Sequence, residues 1–165
     1  IKTASDFGID SDLLKATHKV NVNQRKVFVD KILKHYNNDI KNKTFAVWGL
    51  SFKPRTNDMR ESPAITIVNA LLEKGAKIKA YDPKAMETAK SIFGDKIIYA
   101  ANSYEALDNA DALILITEWN EFKRPSFDKI KSKLKEPIIF DGRNQFEKNR
   151  MNERGIKYIS LGVAE

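Results

Sequence analysis

The stretch 47-VWGLSFKPRTNDMRESPA-64 joins a short apolar segment to a long apolar-periodic one. The apolar residues at its start predict a buried strand, and Ser62 followed by Pro63 predicts the first turn of a helix. A strand-to-helix connection in an α/β domain usually takes two to six residues. The connection from Gly49 to Glu61, here named the charged loop, is longer and carries five charged side chains. Its length and charge call for an explanation beyond joining two elements.

The segments around the charged loop alternate between two patterns. Six short apolar segments predict β-strands, at 45–48, 77–81, 97–100, 112–117, 137–141 and 156–161. Helical patterns separate them, at 63–75, 84–93, 103–109, 126–135 and 145–154. Strands that alternate with helices build βαβ units. The sequence therefore predicts an α/β fold, with a doubly wound, mostly parallel, Rossmann-like sheet of about six strands.

A long amphipathic helix is predicted ahead of the first strand. Apolar residues keep a period near 3.5 from Ile9 to Tyr36, with Asp10 or Ser11 as the cap. The helix would be about 40 Å long, which is more than one edge of such a domain needs. It either packs on its own sheet or connects domains and forms a subunit interface; the pattern leaves both open. Residues 1–43 are assigned to this connector and its hinge, and 44–165 to a nucleotide-binding domain.

Composition limits the classes of function. The 165 residues are 42% hydrophobic, which is enough for one full core, and they include no cysteine that could form a disulfide, a thiolate metal site or a nucleophile. The absence of cysteine suits a reducing cytoplasm, and no apolar run approaches the roughly 18–20 residues of a membrane span. We therefore expect a cytoplasmic protein with no membrane partner. Because the chain begins at Ile1 rather than Met, we also expect a piece of a longer protein.

The net charge of +7 raises the question of nucleic-acid binding. The lysines are scattered along helical segments, and no RNP, zinc-finger or helix-turn-helix motif occurs, so no nucleic-acid partner is predicted. His18 and His35 lie 17 positions apart without the spacing of metal ligands, and no metal site is predicted. No G-x-S-x-G, Walker A or H-E-x-x-H motif occurs, and no residue is assigned a catalytic role.

Two cations are predicted to meet where the strands end. In a doubly wound sheet, ligands bind at the carboxyl ends of the strands, so Lys53 after the first strand and Arg143 after the fifth should converge. Two cations at such a rim make an anion site, and Arg can bind phosphate bidentately. Four aromatic residues on the same rim either stack a base or plug their loops into the core: Phe52, Trp119, Phe122 and Phe146. The G-x-G-x-x-G dinucleotide motif is absent after the first strand.

Four ordered motifs carry a resemblance to a known family. They are GLSFKPRTNDMRESPA at 49–64, AYDP at 80–83, TEWNEF at 117–122 and DGRN at 141–144. Together they resemble the UDP-glucose/GDP-mannose dehydrogenase family: residues 1–36 resemble its central helix and 44–162 its UDP-binding domain. The FKP, TEW and DGRN segments favour the members that oxidise UDP-glucose. Asn57 stands where the family more often has Asp.

The resemblance implies an activity and a set of binding residues. Family members oxidise the sugar C6 hydroxyl to a carboxylate with two NAD, through a cysteine nucleophile, and so convert UDP-glucose to UDP-glucuronate. The cysteine and the N-terminal NAD-binding domain lie upstream of Ile1 in the family, so these 165 residues alone should not turn over substrate. Residue by residue, Phe52, Lys53 and Arg143 match substrate-binding positions, and Arg60 matches a cofactor-binding one.

Some alternatives stay open. Arg60 could instead form a local ion pair that braces the charged loop. The resemblance also implies a homodimer formed through the helix at 9–36. Other readings are a dehydrogenase of another UDP-hexose and a non-catalytic nucleotide-binding or interaction module.

Overall fold

The computed structural model describes residues 2–162. Its α-helices are α1 (Lys2–Asp6), α2 (Asp12–His35), α3 (Pro63–Glu73), α4 (Met86–Phe93), α5 (Ser103–Ala106), α6 (Phe127–Lys133) and α7 (Lys148–Glu153). Its strands are β1 (Thr44–Trp48), β2 (Lys77–Tyr81), β3 (Ile98–Tyr99), β4 (Ala112–Leu115), β5 (Ile138–Asp141) and β6 (Lys157–Ser160). Short 3₁₀ turns cover Gly94–Lys96 and Asn120–Phe122.

The strands of the described residues form one parallel sheet of six, in the order β3-β2-β1-β4-β5-β6. The predicted α/β class, the doubly wound sheet and the preceding long helix are confirmed. The chain order reverses between β1 and β4, which makes that gap the topological switch point of the sheet. The observed strands are mostly one or two residues shorter than predicted at their ends, as is usual for boundaries drawn from a pattern.

Two apolar layers cover the sheet because successive strand residues point to opposite faces. Phe45 and Val47 of β1 face the layer that contains α2, α3 and α4. Ala46 and Trp48 face the other layer, with α5, α6 and α7. Every residue from Ala112 to Thr117 is buried, as expected for a strand covered on both faces. The sheet is therefore a rigid support for the loops at its carboxyl end.

The predicted helix at 9–36 begins later than expected. The chain turns at Gly8, where φ is +66°, and α2 starts only at Asp12, after Ser11 in the N-cap position. Ile9 therefore lies outside the helix, and α1 is a separate short helix. Asp10 accepts a hydrogen bond of 3.1 Å from the amide of Asp12, which satisfies one of the free N–H groups at the helix start. The 24 residues of α2 span about 36 Å.

Only the second half of α2 packs on the domain. Phe28, Val29, Ile32 and Leu33 are buried in the first apolar layer. The first half is exposed, including Leu13 at 81% and Val20 at 55% of their surface. The second half of the helix therefore packs on its own sheet, and the connector or subunit-interface role stays a prediction. The division of the chain at residue 43 stays a prediction.

Candidate functional site

The charged loop leaves β1 through a turn that only glycine fits. Gly49 has φ of +90°, and its amide donates a 2.9 Å hydrogen bond to the carbonyl of Tyr81. A Cβ atom added to Gly49 would lie 2.5 Å from Cβ and 2.6 Å from the backbone nitrogen of Thr117. The backbones that follow β1 and β4 thus touch at the switch point, and the charged loop is directed away from the sheet.

A buried carboxylate fastens the base of the charged loop. Asp82 follows β2 and is 1% exposed. Its oxygens accept six hydrogen bonds of 2.8–3.0 Å, from the amides of Leu50, Ser51, Lys84 and Ala85, the Ser51 hydroxyl and the Trp119 indole. Burial alone would raise the pKa of Asp82. The hydrogen bonds from four backbone amides outweigh burial and hold this pKa below its ordinary value; they come from Ser51, Leu50, Lys84 and Ala85.

The TEW segment after β4 completes this anchor. The Thr117 hydroxyl donates a 2.6 Å hydrogen bond to the carbonyl of Ser51, and Trp119 is only 8% exposed. Phe122 is fully buried and stacks on Trp48, with 4.9 Å between the ring centroids. Trp119 and Phe122 therefore plug their loop into the core and are not free to stack a base. Phe146 is partly buried and packs edge-to-face on Phe127 at 5.3 Å.

The loop after β5 is shaped by a second buried carboxylate. Asp141 accepts hydrogen bonds from the amides of Arg143 at 2.8 Å and Gln145 at 2.7 Å, and from the hydroxyl of Tyr158 at 2.8 Å. Burial and the nearby Asp141 charge raise the pKa of Tyr158, so its hydroxyl stays protonated and donates. Outside this turn, the Arg143 guanidinium forms a bidentate pair with Glu118, with Nε–Oε2 at 2.7 Å and Nη2–Oε1 at 2.8 Å.

The predicted substrate-binding residues share one cleft of about 400 Å³ above the switch point. Phe52, Lys53 and Arg143 all line it, and the Phe52 ring is 53% exposed. The remaining lining comes from α2, from the start of α3 and from the segments that follow β4, β5 and β6: Asn21, Gln24, Arg25, Phe28, Pro63, Ile67, Ile116, Gly142 and Leu161. The cleft combines an apolar floor with three cations, which suits a ligand that has both an aromatic and an anionic part.

Arg60, the predicted cofactor-binding residue, lies elsewhere. It lines a separate depression with Asn57, Ile65 and Ile92, on the far side of the charged loop. Its side chain is 90% exposed, and the guanidinium pairs with Asp58, with Nη2–Oδ2 at 2.7 Å. The hydrogen bonds from Arg60 lower the pKa of Asp58 to about 2. The structure thus shows the local ion pair that the sequence left open, and it leaves the outer face of Arg60 accessible.

Sequence reasoning missed the polar face of α2. Asn21, Gln24 and Arg25 line the cleft, but the apolar period of this helix does not point to them. A signal was present: these polar residues lie three and four positions apart and next to Phe28, so they share a face with the buried part of the helix. The Asp82 anchor was missed as well, because Ser51, Asp82 and Trp119 come from three separate loops.

Among residues 2–162, no three His, Asp or Glu side chains lie together in a way that could hold a metal ion. The His35 ring packs edge-to-face on Tyr36 and Phe140, at 4.7 and 5.6 Å between centroids. Within the same residues, no helix combines the length and apolar character needed to cross a membrane.

Comparison with known proteins gives one family. The model of the UDP binding domain of the UDP-glucose/GDP-mannose dehydrogenase family matches residues 46–148. The chain is 41% identical over 162 residues to the UDP-glucose 6-dehydrogenase of Rhizobium meliloti, with 98% of this chain and 37% of that protein aligned. It is 39% identical to the Bacillus subtilis UDP-glucose 6-dehydrogenase TuaD, over 98% of this chain and 35% of that protein.

Solved structures give the same fold. A UDP-glucose dehydrogenase from Pyrobaculum islandicum superposes with a TM-score of 0.79 at 26% identity, over 99% of this chain and 35% of the other. A UDP-D-ManNAc dehydrogenase from Pyrococcus horikoshii superposes with a TM-score of 0.71 at 21% identity, over 96% of this chain and 35% of the other. The chain spans little more than a third of the length of these relatives.

Proposed function

The chain belongs to the UDP-glucose/GDP-mannose dehydrogenase family, and on that premise we propose that it supplies the UDP-binding part of an enzyme that oxidises UDP-glucose to UDP-glucuronate with two NAD. One observation carries the proposal. Phe52 and Lys53 come from the loop after β1 and Arg143 from the loop after β5, and all three line one cleft at the switch point of the sheet. The relatives from Rhizobium meliloti and Bacillus subtilis are UDP-glucose 6-dehydrogenases.

The cleft suits a nucleoside diphosphate. Lys53 contributes an ammonium group. Arg143 contributes a planar guanidinium whose Nε and Nη2 pair with Glu118. A guanidinium has five N–H groups, so Arg143 keeps donors for a phosphate while it remains paired with Glu118. The exposed ring of Phe52 offers an apolar face for the base or the sugar. These residues bind and orient; none of them is placed to break a bond.

NAD does not fit a site made of these residues alone. A dinucleotide site needs glycine-rich backbone close to the pyrophosphate, and here the single glycine after β1 is packed against Thr117. Only Arg60 is proposed to contact the cofactor, from the exposed side of the charged loop and toward a separate NAD-binding domain. NAD accepts the hydride in such oxidations. The contribution of this chain is to hold the UDP moiety so that the sugar projects out of the cleft.

A UDP titration tests the assignment. Loss of one charge-assisted contact costs about 1.5–3 kcal/mol, so Arg143→Ala and Lys53→Ala should each weaken UDP binding by about 10- to 150-fold. Arg60→Ala serves as the matched control because it removes a cation from the same loop without changing the cleft. Its affinity for UDP should stay within about twofold of the wild-type affinity. Isothermal titration calorimetry at one fixed salt concentration measures all four proteins. Wild-type affinity in both cleft variants would place the UDP site elsewhere.

We also propose that the chain forms a homodimer through α2. Leu13, Val20 and Val27 repeat every seven residues and so share one exposed face of the helix. An exposed apolar stripe of this kind marks an interaction surface, and a two-fold axis would let each copy cover the other.

Light scattering tests the dimer. At micromolar concentration the wild-type chain should have at least twice the monomer mass, whereas the double variant Leu13→Lys/Val20→Lys should be monomeric because each dimer would bury four lysines. Lys26→Ala removes an exposed charge of α2 that lies outside this stripe, and it should leave the mass unchanged. A folded wild-type chain that stays monomeric would rule the dimer out for these 165 residues.

A further inference from the structure

Arg25 connects α2 to the far end of the charged loop. Its Nη2 donates a 2.8 Å hydrogen bond to the backbone carbonyl of Glu61, and its Nη1 donates one of 3.4 Å to the hydroxyl of Thr66. The nearest carboxylate oxygen, Oε2 of Glu61, is 3.9 Å away on a mostly exposed side chain. Only 18% of the Arg25 side chain is exposed. A mostly buried guanidinium therefore directs its short hydrogen bond to the backbone of a loop, which is a geometry that fixes a chain segment.

The backbone that Arg25 holds is in an unfavourable conformation. Glu61 has φ of +58°, in the left-handed region that a residue with a Cβ seldom adopts. The next residue, Ser62, is buried, and its hydroxyl donates a 2.7 Å hydrogen bond to the carbonyl of Leu50. The end of the charged loop is thus closed onto its beginning, and the Arg25 contact lies at the point of closure.

Internal hydrogen bonds carry this restraint along the loop. The amide of Phe52 donates to the carbonyl of Asp58 at 2.8 Å, and the Asp58 carboxylate accepts from the amide of Arg60 at 2.8 Å. Phe52, Asp58 and Arg60 are therefore linked by hydrogen bonds, and Arg25 holds the residue that follows Arg60. Lys53 extends from this unit into the cleft that Arg25 also lines.

We propose that Arg25 is a positioning residue for UDP binding: it clamps the charged loop to α2 and so fixes where Lys53 and Phe52 stand in the cleft. The inference rests on the proposed function for its ligand. The same contact connects the Lys53 side of the charged loop with its Arg60 side, because Arg60 directly precedes Glu61, the residue that Arg25 holds. A change in α2 is thereby transmitted to the nucleotide cleft through one side chain.

The test measures the loop and the ligand separately. The 165-residue chain is compared with Arg25→Gln, with Arg25→Lys, and with Lys26→Gln, which removes a neighbouring exposed charge on α2 as the matched control. Hydrogen exchange without ligand follows the amides of residues 50–62, and calorimetry gives the dissociation constant for UDP. Arg25→Gln should speed exchange of the Phe52, Arg60 and Ser62 amides at least tenfold and weaken UDP binding about fivefold to tenfold. Lys26→Gln should match the wild type in both.

Arg25→Lys keeps the charge, but an ammonium group cannot reach both the Glu61 carbonyl and the Thr66 hydroxyl as the forked guanidinium does. Its amide exchange rates and its affinity for UDP should therefore fall between those of the wild type and Arg25→Gln. It also decides the question if Arg25→Gln does not fold. Unchanged loop exchange in the ligand-free Arg25 variants would overturn the proposal, even if UDP binding weakened, because Arg25 would then contact the ligand directly. If the wild type fails to bind UDP, the proposed function fails, while the exchange data still show whether Arg25 clamps the loop.

Discussion

Gly49→Ala should lower the free energy of unfolding by about 4 kcal/mol, near the upper end of what single substitutions do. Two costs add. The left-handed φ of +90° is unfavourable for alanine, and the new methyl group would lie 2.5–2.9 Å from three atoms of Thr117. Two of those atoms are backbone, and the Thr117 hydroxyl is bonded to Ser51, so the neighbour cannot move aside without breaking the anchor of the charged loop.

Urea denaturation and thermal melting measure this loss, and the melting temperature should fall by about 8–16 °C. Gly75→Ala is the control. Its φ is +81°, but its nearest neighbour is the exposed side chain of Lys41 at 3.3 Å, which can give way. That variant should lose only the conformational part, about 1 kcal/mol. Equal losses in the two variants would show that the close approach of Gly49 to Thr117 contributes nothing.

Asp82→Asn should destabilise the fold by about 3–5 kcal/mol and abolish measurable UDP binding. Each carboxylate oxygen of Asp82 accepts from at least two donors. An asparagine in the same place has one oxygen and one NH₂ group, so in either orientation the NH₂ would face N–H groups that lose their acceptor. The charged loop would lose its attachment to β2, and Lys53 would no longer be held over the cleft.

The pH dependence identifies the carboxylate as the cause. The pKa of Asp82 is lowered in the folded state, so its contribution to stability is complete above the unfolded pKa, about 3.9, and is lost as the pH falls toward the folded value. The difference in unfolding free energy between the wild type and Asp82→Asn should therefore be constant at neutral pH and shrink as the pH falls below about 4. The control variant Asp39→Asn, at an exposed position, should lower the free energy of unfolding by less than about 0.5 kcal/mol at every pH. A difference that stays constant with pH would contradict this assignment.

The sequence predicts the fold well because the fold depends on local patterns. Buried parallel strands are continuous apolar runs, and helices begin at caps such as Ser62 and Ser126, both of which accept the expected backbone hydrogen bond. The start of α2 could have been placed from the same signal. Ser11 in the N-cap position already excludes Ile9 from the helix, although Ile9 fits the apolar period.

The site is predictable only where strand topology places it. Lys53 and Arg143 each follow a strand, so the rule on carboxyl ends brings them to one edge, and both line the same cleft. The contacts that hold the site follow no such rule. Asp82 reaches Trp119 across 37 positions, and Arg25 reaches Glu61 across 36. Such pairs depend on side-chain directions that only the packed structure defines.

The central place of β1 in the sheet has a consequence for biosynthesis. Both of its neighbours, β2 and β4, are translated after it. The amide of Thr44 donates a hydrogen bond to the carboxylate of Asp111, which lies 67 positions later in the chain. At about 5–20 residues per second, the ribosome needs roughly 3–13 s to supply that partner. During this interval the nascent chain presents an unpaired apolar strand edge, which is a template for aggregation. The central strand of this domain can therefore be paired on both sides only after β4 has been translated.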